Sequence, residues 1–174
     1  MRQQKKVLAC VDQSDYASHV ADYSAWAATR LSVPVELLHV IDRHSEISSG
    51  VDRSGSIGVD AQENLLERLS QEEGERSKVV REQGRVFLNK LRARCKSHTG
   101  LQTDTRQRYG QLLSTLKEQE SSVAMYVLGR RGESASHTRR DLGRHVEAIC
   151  RQIRRPIMTV TDDFKAPKSV LVAF

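Results

Sequence analysis

Apolar residues fall in a repeating order along this chain. Val7-Leu8-Ala9-Cys10-Val11 is a short unbroken apolar run ended by Asp12, the mark of a strand buried on both faces. Ser14 or Asp15 is placed to cap a helix, in which Tyr16, Val20, Tyr23, Ala27 and Leu31 recur at three- and four-residue steps. Trp26 on that helix reads as packing. Pro34 then opens Val35 to Ile41, a second apolar run closed by Asp42. Strand, helix and strand within about 35 residues is the length of a parallel crossover unit. Residues 43–60 are rich in Ser and Gly and read as a loop, a candidate lid. Residues 61–97 read as helix, with a break at Gly74 inside the polar stretch Gln71–Lys78 and a C-cap at Gly100. Leu101–Tyr109 alternates in the manner of an edge strand. Leu112, Leu113 and Leu116 make a short amphipathic helix, and Val123 to Leu128 is a third strongly apolar run. Val146, Ile149, Cys150 and Ile153 stripe a last helix, Pro156 stops it, and Ile157-Met158-Thr159-Val160 forms a fifth strand. Strands alternating with helices predict an α/β fold: a Rossmann-like, five-stranded parallel sheet of order 3-2-1-4-5, helices on both faces.

The tail departs from this pattern. After Phe164-Lys165-Ala166-Pro167 comes Lys168-Ser169-Val170-Leu171-Val172-Ala173-Phe174, which echoes Lys6 to Val11. Two readings stand: the first strand of a second copy of the domain, or a C-terminal strand added to the sheet. The first divides the chain into a domain at 1–163 and, at 164–174, a linker and the opening of a truncated second repeat.

A length of 174 residues suffices for one domain with a real core. No apolar run approaches the roughly 18 residues of a membrane span, and Val7–Val11 is too short for a signal-peptide core. Cys10, Cys95 and Cys150 are odd in number and far apart, which argues against a disulfide framework or zinc knuckle and fits a reducing cytoplasm. The formal net charge is +6, and residues 129–155 alone carry eight Arg against three acids. A duplex or single-stranded nucleic acid calls for basic residues spread along a face, often with aromatics between. Residues 129–155 contain no aromatic residue. A compact anion such as a nucleotide phosphate accounts better for the concentration, while Arg151, Arg154 and Arg155 also fit a solvated helix face.

In a sheet of order 3-2-1-4-5, strands 1 and 4 flank the point where winding reverses, and ligands enter at their carboxyl ends. Asp12 closes the first of these strands and Gly129-x-x-Gly132 the fourth, with Gly143 opening the last helix. A carboxylate can accept from ribose or base, and glycine-rich backbone with a helix N-terminus can hold phosphates. A tight turn alone would also account for the two glycines. His39 reads as a packing residue. His137 and His145 lie far from paired acids, so no metal triad is expected. Cys10 reads as a small buried hydrophobe.

These residues resemble the universal stress protein family. The likeness runs through Val7–Ser14, Val35–Val40, Arg108-Tyr109-Gly110, Tyr126–Gly132, Leu142–Glu147 and Arg155–Val160, about residues 5–162 in order. Gly129-Arg130-Arg131-Gly132-Glu133 and the restarted tail look most like its tandem branch. The resemblance implies an ATP-binding domain acting in stress adaptation with no settled reaction, hence not an enzyme. It places adenine and ribose at Cys10, Val11, Asp12 and the backbone of Val40. Phosphates would lie at Gly129, Arg131, Gly132, Gly143 and Arg144, with Leu128 and His145 adjoining them. The family motif is G-x2-G-x9-G-(S/T). Here ten residues separate Gly132 from Gly143, Arg144 stands in place of the hydroxyl, and Gln13 occupies a position that is often Gly. A homodimer through the last strand, or pairing with a second repeat, is the expected assembly. The competing function is a dimeric module that recruits protein partners without nucleotide.

Overall fold

The computed structural model describes residues 5–41, 59–100, 102–132, 143–169 and 171; the side chains of 59–70, 72, 73, 98, 99 and 144 fall outside it. Its elements are β1 (Lys6–Cys10), α1 (Ala17–Leu31), β2 (Val35–Ile41), α2 (Val59–Thr99), β3 (Thr103–Tyr109), α3 (Leu112–Gln119), β4 (Val123–Gly129), α4 (Arg144–Gln152) and β5 (Ile157–Val160). The strands form one parallel sheet, β3-β2-β1-β4-β5, in the order expected.

Each strand supplies both faces because its side chains alternate. Val7, Ala9, Leu37 and Val127 pack with α1 and α2 on one face. Leu8, Leu38, Tyr126 and Leu128 meet Leu116, Ile149 and Ile153 on the other. Tyr126 is fully buried there, and its hydroxyl donates to the Leu116 carbonyl at 2.8 Å. A buried phenol with a partner is a stabilising group, where an unpaired one would be costly.

Three local expectations need correction or limits. Neither Ser14 nor Asp15 caps α1. Tyr16 occupies the N-cap without a side-chain bond, because the Ser14 N–H and hydroxyl both turn back to Asp12 Oδ1. Nor does α2 break at Gly74, as helix is continuous from Val59 to Thr99. The Glu, Gln, Arg and Lys around Gly74 are good helix formers, and one glycine costs only about 1 kcal/mol. The loop expected at 43–60 lies outside the described residues up to 58, and 59 and 60 already belong to α2. Gly100 does end that helix in the left-handed region (φ +63), its N–H reaching the Lys96 carbonyl at 3.1 Å.

A Cβ built on Gly74 meets nothing within 4 Å. Gly74→Ala is therefore expected to stabilise the protein by about 0.5–1 kcal/mol through lower backbone entropy in the unfolded chain. Urea denaturation would show a raised midpoint at unchanged slope; a lowered midpoint would mean that the glycine is structurally required.

After β5 the chain turns back across α1. Phe164 packs edge-on against Tyr23 with ring centroids 4.9 Å apart, and the Tyr23 hydroxyl accepts from the Lys165 N–H at 3.3 Å. The described tail residues 164–169 form no strand. The end of the tail, where a strand was expected, lies outside the described residues except for Leu171, which is exposed and not in a strand.

Candidate functional site

The carboxyl ends of β1 and β4 lie side by side, with Cys10 in register with Leu128. Just past β1, the Val11 N–H donates to the Leu38 carbonyl at 2.9 Å, and His39 Nδ1–H donates to the Val11 carbonyl at 3.0 Å. His39 is buried edge-on against Phe87, so it is a packing residue as expected, and it also fixes the chain leading into Asp12.

Past β4, the 129–132 turn folds beneath the start of α4. Arg130 N–H donates to the Val160 carbonyl at 2.8 Å, and its own carbonyl accepts from the Gly143 N–H at 3.0 Å. The three glycines have one common cause. A Cβ on Gly129 would lie 3.0 Å from the Arg131 carbonyl oxygen and 3.1 Å from Tyr16 Cβ. One on Gly143 would come within 3.2 Å of the Arg130 oxygen, and one on Gly132 within 2.8 Å of Asp12 Oδ2. A side chain would crowd Gly129 and Gly143 and would force a shift at Gly132, so glycine lets these two loops and the helix start close on one another.

Asp12, Gly129, Gly132 and Gly143 thus come together, as the sequence expected. Gly143 is the N-cap of α4, extended at φ −65 and ψ 138, with no side-chain cap bond to the helix. The positive end of that helix is therefore presented beside an arginine-bearing turn, an arrangement that attracts anions. The other candidates divide. Cys10 and Val40 are half-buried on the second face of the sheet. Val11 and Leu128 bury their side chains in the two cores, at 4% and 3% exposure, which leaves their backbone for any ligand. His145 is exposed on the first turn of α4, while the Arg144 side chain lies outside the described residues. Tyr16, pressed against Gly129, was legible only as part of the apolar face of a helix, and nothing in the motif marks it.

Burial pushes the Cys10 thiol well up, and the nearby Asp12 carboxylate pushes it further. Burial, with a smaller contribution from Asp22, raises Cys95 to about 12. A thiol reacts as thiolate, so neither is a nucleophile at neutral pH. An alkylating probe is expected to label exposed Cys150 alone until the protein unfolds. Labelling of Cys10 in the folded protein would contradict this.

Among the described residues, no cluster of His, Cys, Asp and Glu is arranged to hold a metal ion, and no helix is long and apolar enough to cross a membrane.

The model of the universal stress protein family matches residues 4–161. The chain belongs to that family. It is 29% identical over 171 residues to universal stress protein Slr1230 of Synechocystis, covering 98% of this chain and 60% of that protein. The chain thus spans about three fifths of the curated relative's length. Similar solved structures include universal stress protein UspA from Lactobacillus plantarum (TM-score 0.55, 18% identity, 91% of this chain and 98% of that one). Another is a universal stress protein from Archaeoglobus fulgidus in complex with dAMP (TM-score 0.53, 15% identity, 90% and 98%). A third, in complex with cAMP, has a TM-score of 0.55 at 12% identity (91% and 98%). At these identities the likeness establishes the fold.

Proposed function

We propose that this universal stress protein is a regulatory binder of an adenine nucleotide, ATP in the first instance, held in the crevice between the ends of β1 and β4. One observation carries the reading: the Asp12 carboxylate lies against Gly132, within 2.8 Å of where its Cβ would be, while Gly143, bonded to the Arg130 carbonyl of the same turn, begins α4. An acceptor for ribose or base and a helix N-terminus for phosphates then share one small site. The two related structures in complex with dAMP and with cAMP support the ligand class. The output is the conformation adopted with nucleotide rather than a turnover. Calorimetric titration of nucleotide-stripped protein with ATP, AMP and cAMP tests this. Saturable one-to-one binding by at least one of them is expected, and silence from all three leaves the nucleotide-independent partner module as the better account.

Arg144 separates the phosphate end from the rest. It is the first residue of α4, where a positive charge opposes the helix dipole by roughly 0.3–1 kcal/mol unless an anion is present. A charge-assisted bond to phosphate contributes about 1.5–3 kcal/mol. Arg144→Ser is therefore expected to weaken ATP about tenfold, leave AMP nearly unchanged and slightly raise the melting temperature of the empty protein. Tighter ATP binding in this variant would mean that Arg144 fills the site instead.

A further inference from the structure

Helix α2 is far longer than the sheet it covers. Its 41 residues span about 61 Å, against about 23 Å for the seven residues of β3. The Tyr109 hydroxyl, at the end of β3, donates to the Ser77 carbonyl at 3.4 Å, and Arg81 lies over the Tyr109 ring. Residues 59–76 of the helix therefore run on past the carboxyl end of β3.

Charge along this helix is segregated. Residues 59–75 hold six acids and one Arg, and residues 76–96 hold eight Lys or Arg and one Glu. The helix dipole favours acids in the first turn and bases in the last, and its effect does not extend through whole halves of a helix this long. Segregation also places like charges four residues apart, as at Glu63/Glu67, Arg81/Arg85 and Arg92/Lys96, which destabilises a lone helix. Opposite charges also meet within α2, at Arg68/Glu72, Glu72/Arg76 and Lys78/Glu82 in sequence spacing and in the Arg85–Glu82 ion pair at 2.6 Å. These cluster about the change of sign and within the basic half.

Positions 65, 72, 79 and 86 recur at seven-residue spacing on one side of the helix, away from buried Gly84, Leu88 and Leu91. Val79 and Val86 on this line are 55% and 58% exposed. The midpoint of the line falls between Glu75 and Arg76, where the charge changes sign. An antiparallel partner centred there sets position 65 opposite 86 and acids opposite bases at once. A two-fold axis requires such self-complementarity. We infer that α2 pairs antiparallel with the same helix of a second copy of this chain, the acidic half of each lying along the basic half of the other.

Sedimentation of the full chain tests the pairing. Association is expected to weaken as salt is raised, since exposed ion pairs are screened. The variants Glu67→Lys/Glu73→Lys and Lys78→Glu/Arg85→Glu should each lose association at least tenfold while keeping native circular dichroism. Mixed in equal amounts they should associate again, because each supplies the charges that the other reversed. Val86→Arg alone, at an exposed position outside the core, should weaken the wild-type association. A wild-type monomer at all concentrations overturns the inference. So does a dimer indifferent to salt and to both reversals, which is the behaviour of pairing through the β5 edge. Failure of the mixture to associate overturns it as well.

Discussion

Lys6→Met is expected to destabilise the protein by about 3 kcal/mol. Lys6 Nζ donates to Glu36 Oε2 and to Gln119 Oε1, both at 2.8 Å. The Lys6 and Glu36 side chains are only 14% and 8% exposed. Removing one member of a buried pair leaves the other charge uncompensated, at a cost of about 3–5 kcal/mol. The low end applies because Arg106 Nε stands 3.3 Å from Glu36 Oε1 and is itself 43% exposed, so part of the charge remains balanced. The network is incompletely satisfied among the described residues, where Gln119 Nε2 is buried and lacks a hydrogen-bond partner. Such networks are poor sources of net stability. Lys6→Met/Glu36→Leu should therefore recover most of the loss, since apolar replacement of a buried pair is often neutral. A double-mutant cycle by urea denaturation measures both effects. A cost below about 1 kcal/mol for the single variant would show that water already reaches the pair.

Glu36 also shows where reading the sequence stops. It stands inside the apolar run Val35–Ile41 and does not disturb the strand, because strand formation follows the flanking β-branched and aliphatic residues. Lys6 is the partner it shares with Gln119 on α3, and these groups are brought near only by the tertiary fold. The sheet itself was legible because β1, β2 and β4 are unbroken apolar runs and the crossover rules leave few arrangements. The meeting of Asp12 with the glycines was legible for a related reason: an acid ending β1 and a Gly-x-x-Gly ending β4 come together where winding reverses. The cause of the glycines was not legible. Each lies close against an atom of the protein itself, at Tyr16, Arg130, Arg131 or Asp12, and no spacing rule encodes those contacts. The course of α2 through Gly74 was missed because a wholly polar stretch carries no periodic signal. Helix propensity, summed over its neighbours, decided the outcome.

Gly132→Ala is expected to remove nucleotide binding measurable by calorimetry and to destabilise the empty protein by about 1–3 kcal/mol. The new Cβ would lie 2.8 Å from Asp12 Oδ2, closer than such contacts allow. Asp12 cannot yield freely, because its other oxygen accepts from the Ser14 N–H at 3.2 Å and from the Ser14 hydroxyl. If the carboxylate swings away, those charge-assisted bonds are lost, each worth about 1.5–3 kcal/mol at most. If the turn moves instead, it drags the Arg130 carbonyl that holds the Gly143 N–H and displaces the start of α4. Either route separates the Asp12 carboxylate from the start of α4, the two groups on which the proposed nucleotide site depends. The double variant Gly132→Ala/Asp12→Ala distinguishes this clash from a general intolerance of the turn. Relief of the contact should return most of the stability, while binding stays absent because the carboxylate is gone. Titration and thermal melting of both variants measure these two effects. A Gly132→Ala protein that binds ATP like the wild type would show that nucleotide does not use this crevice.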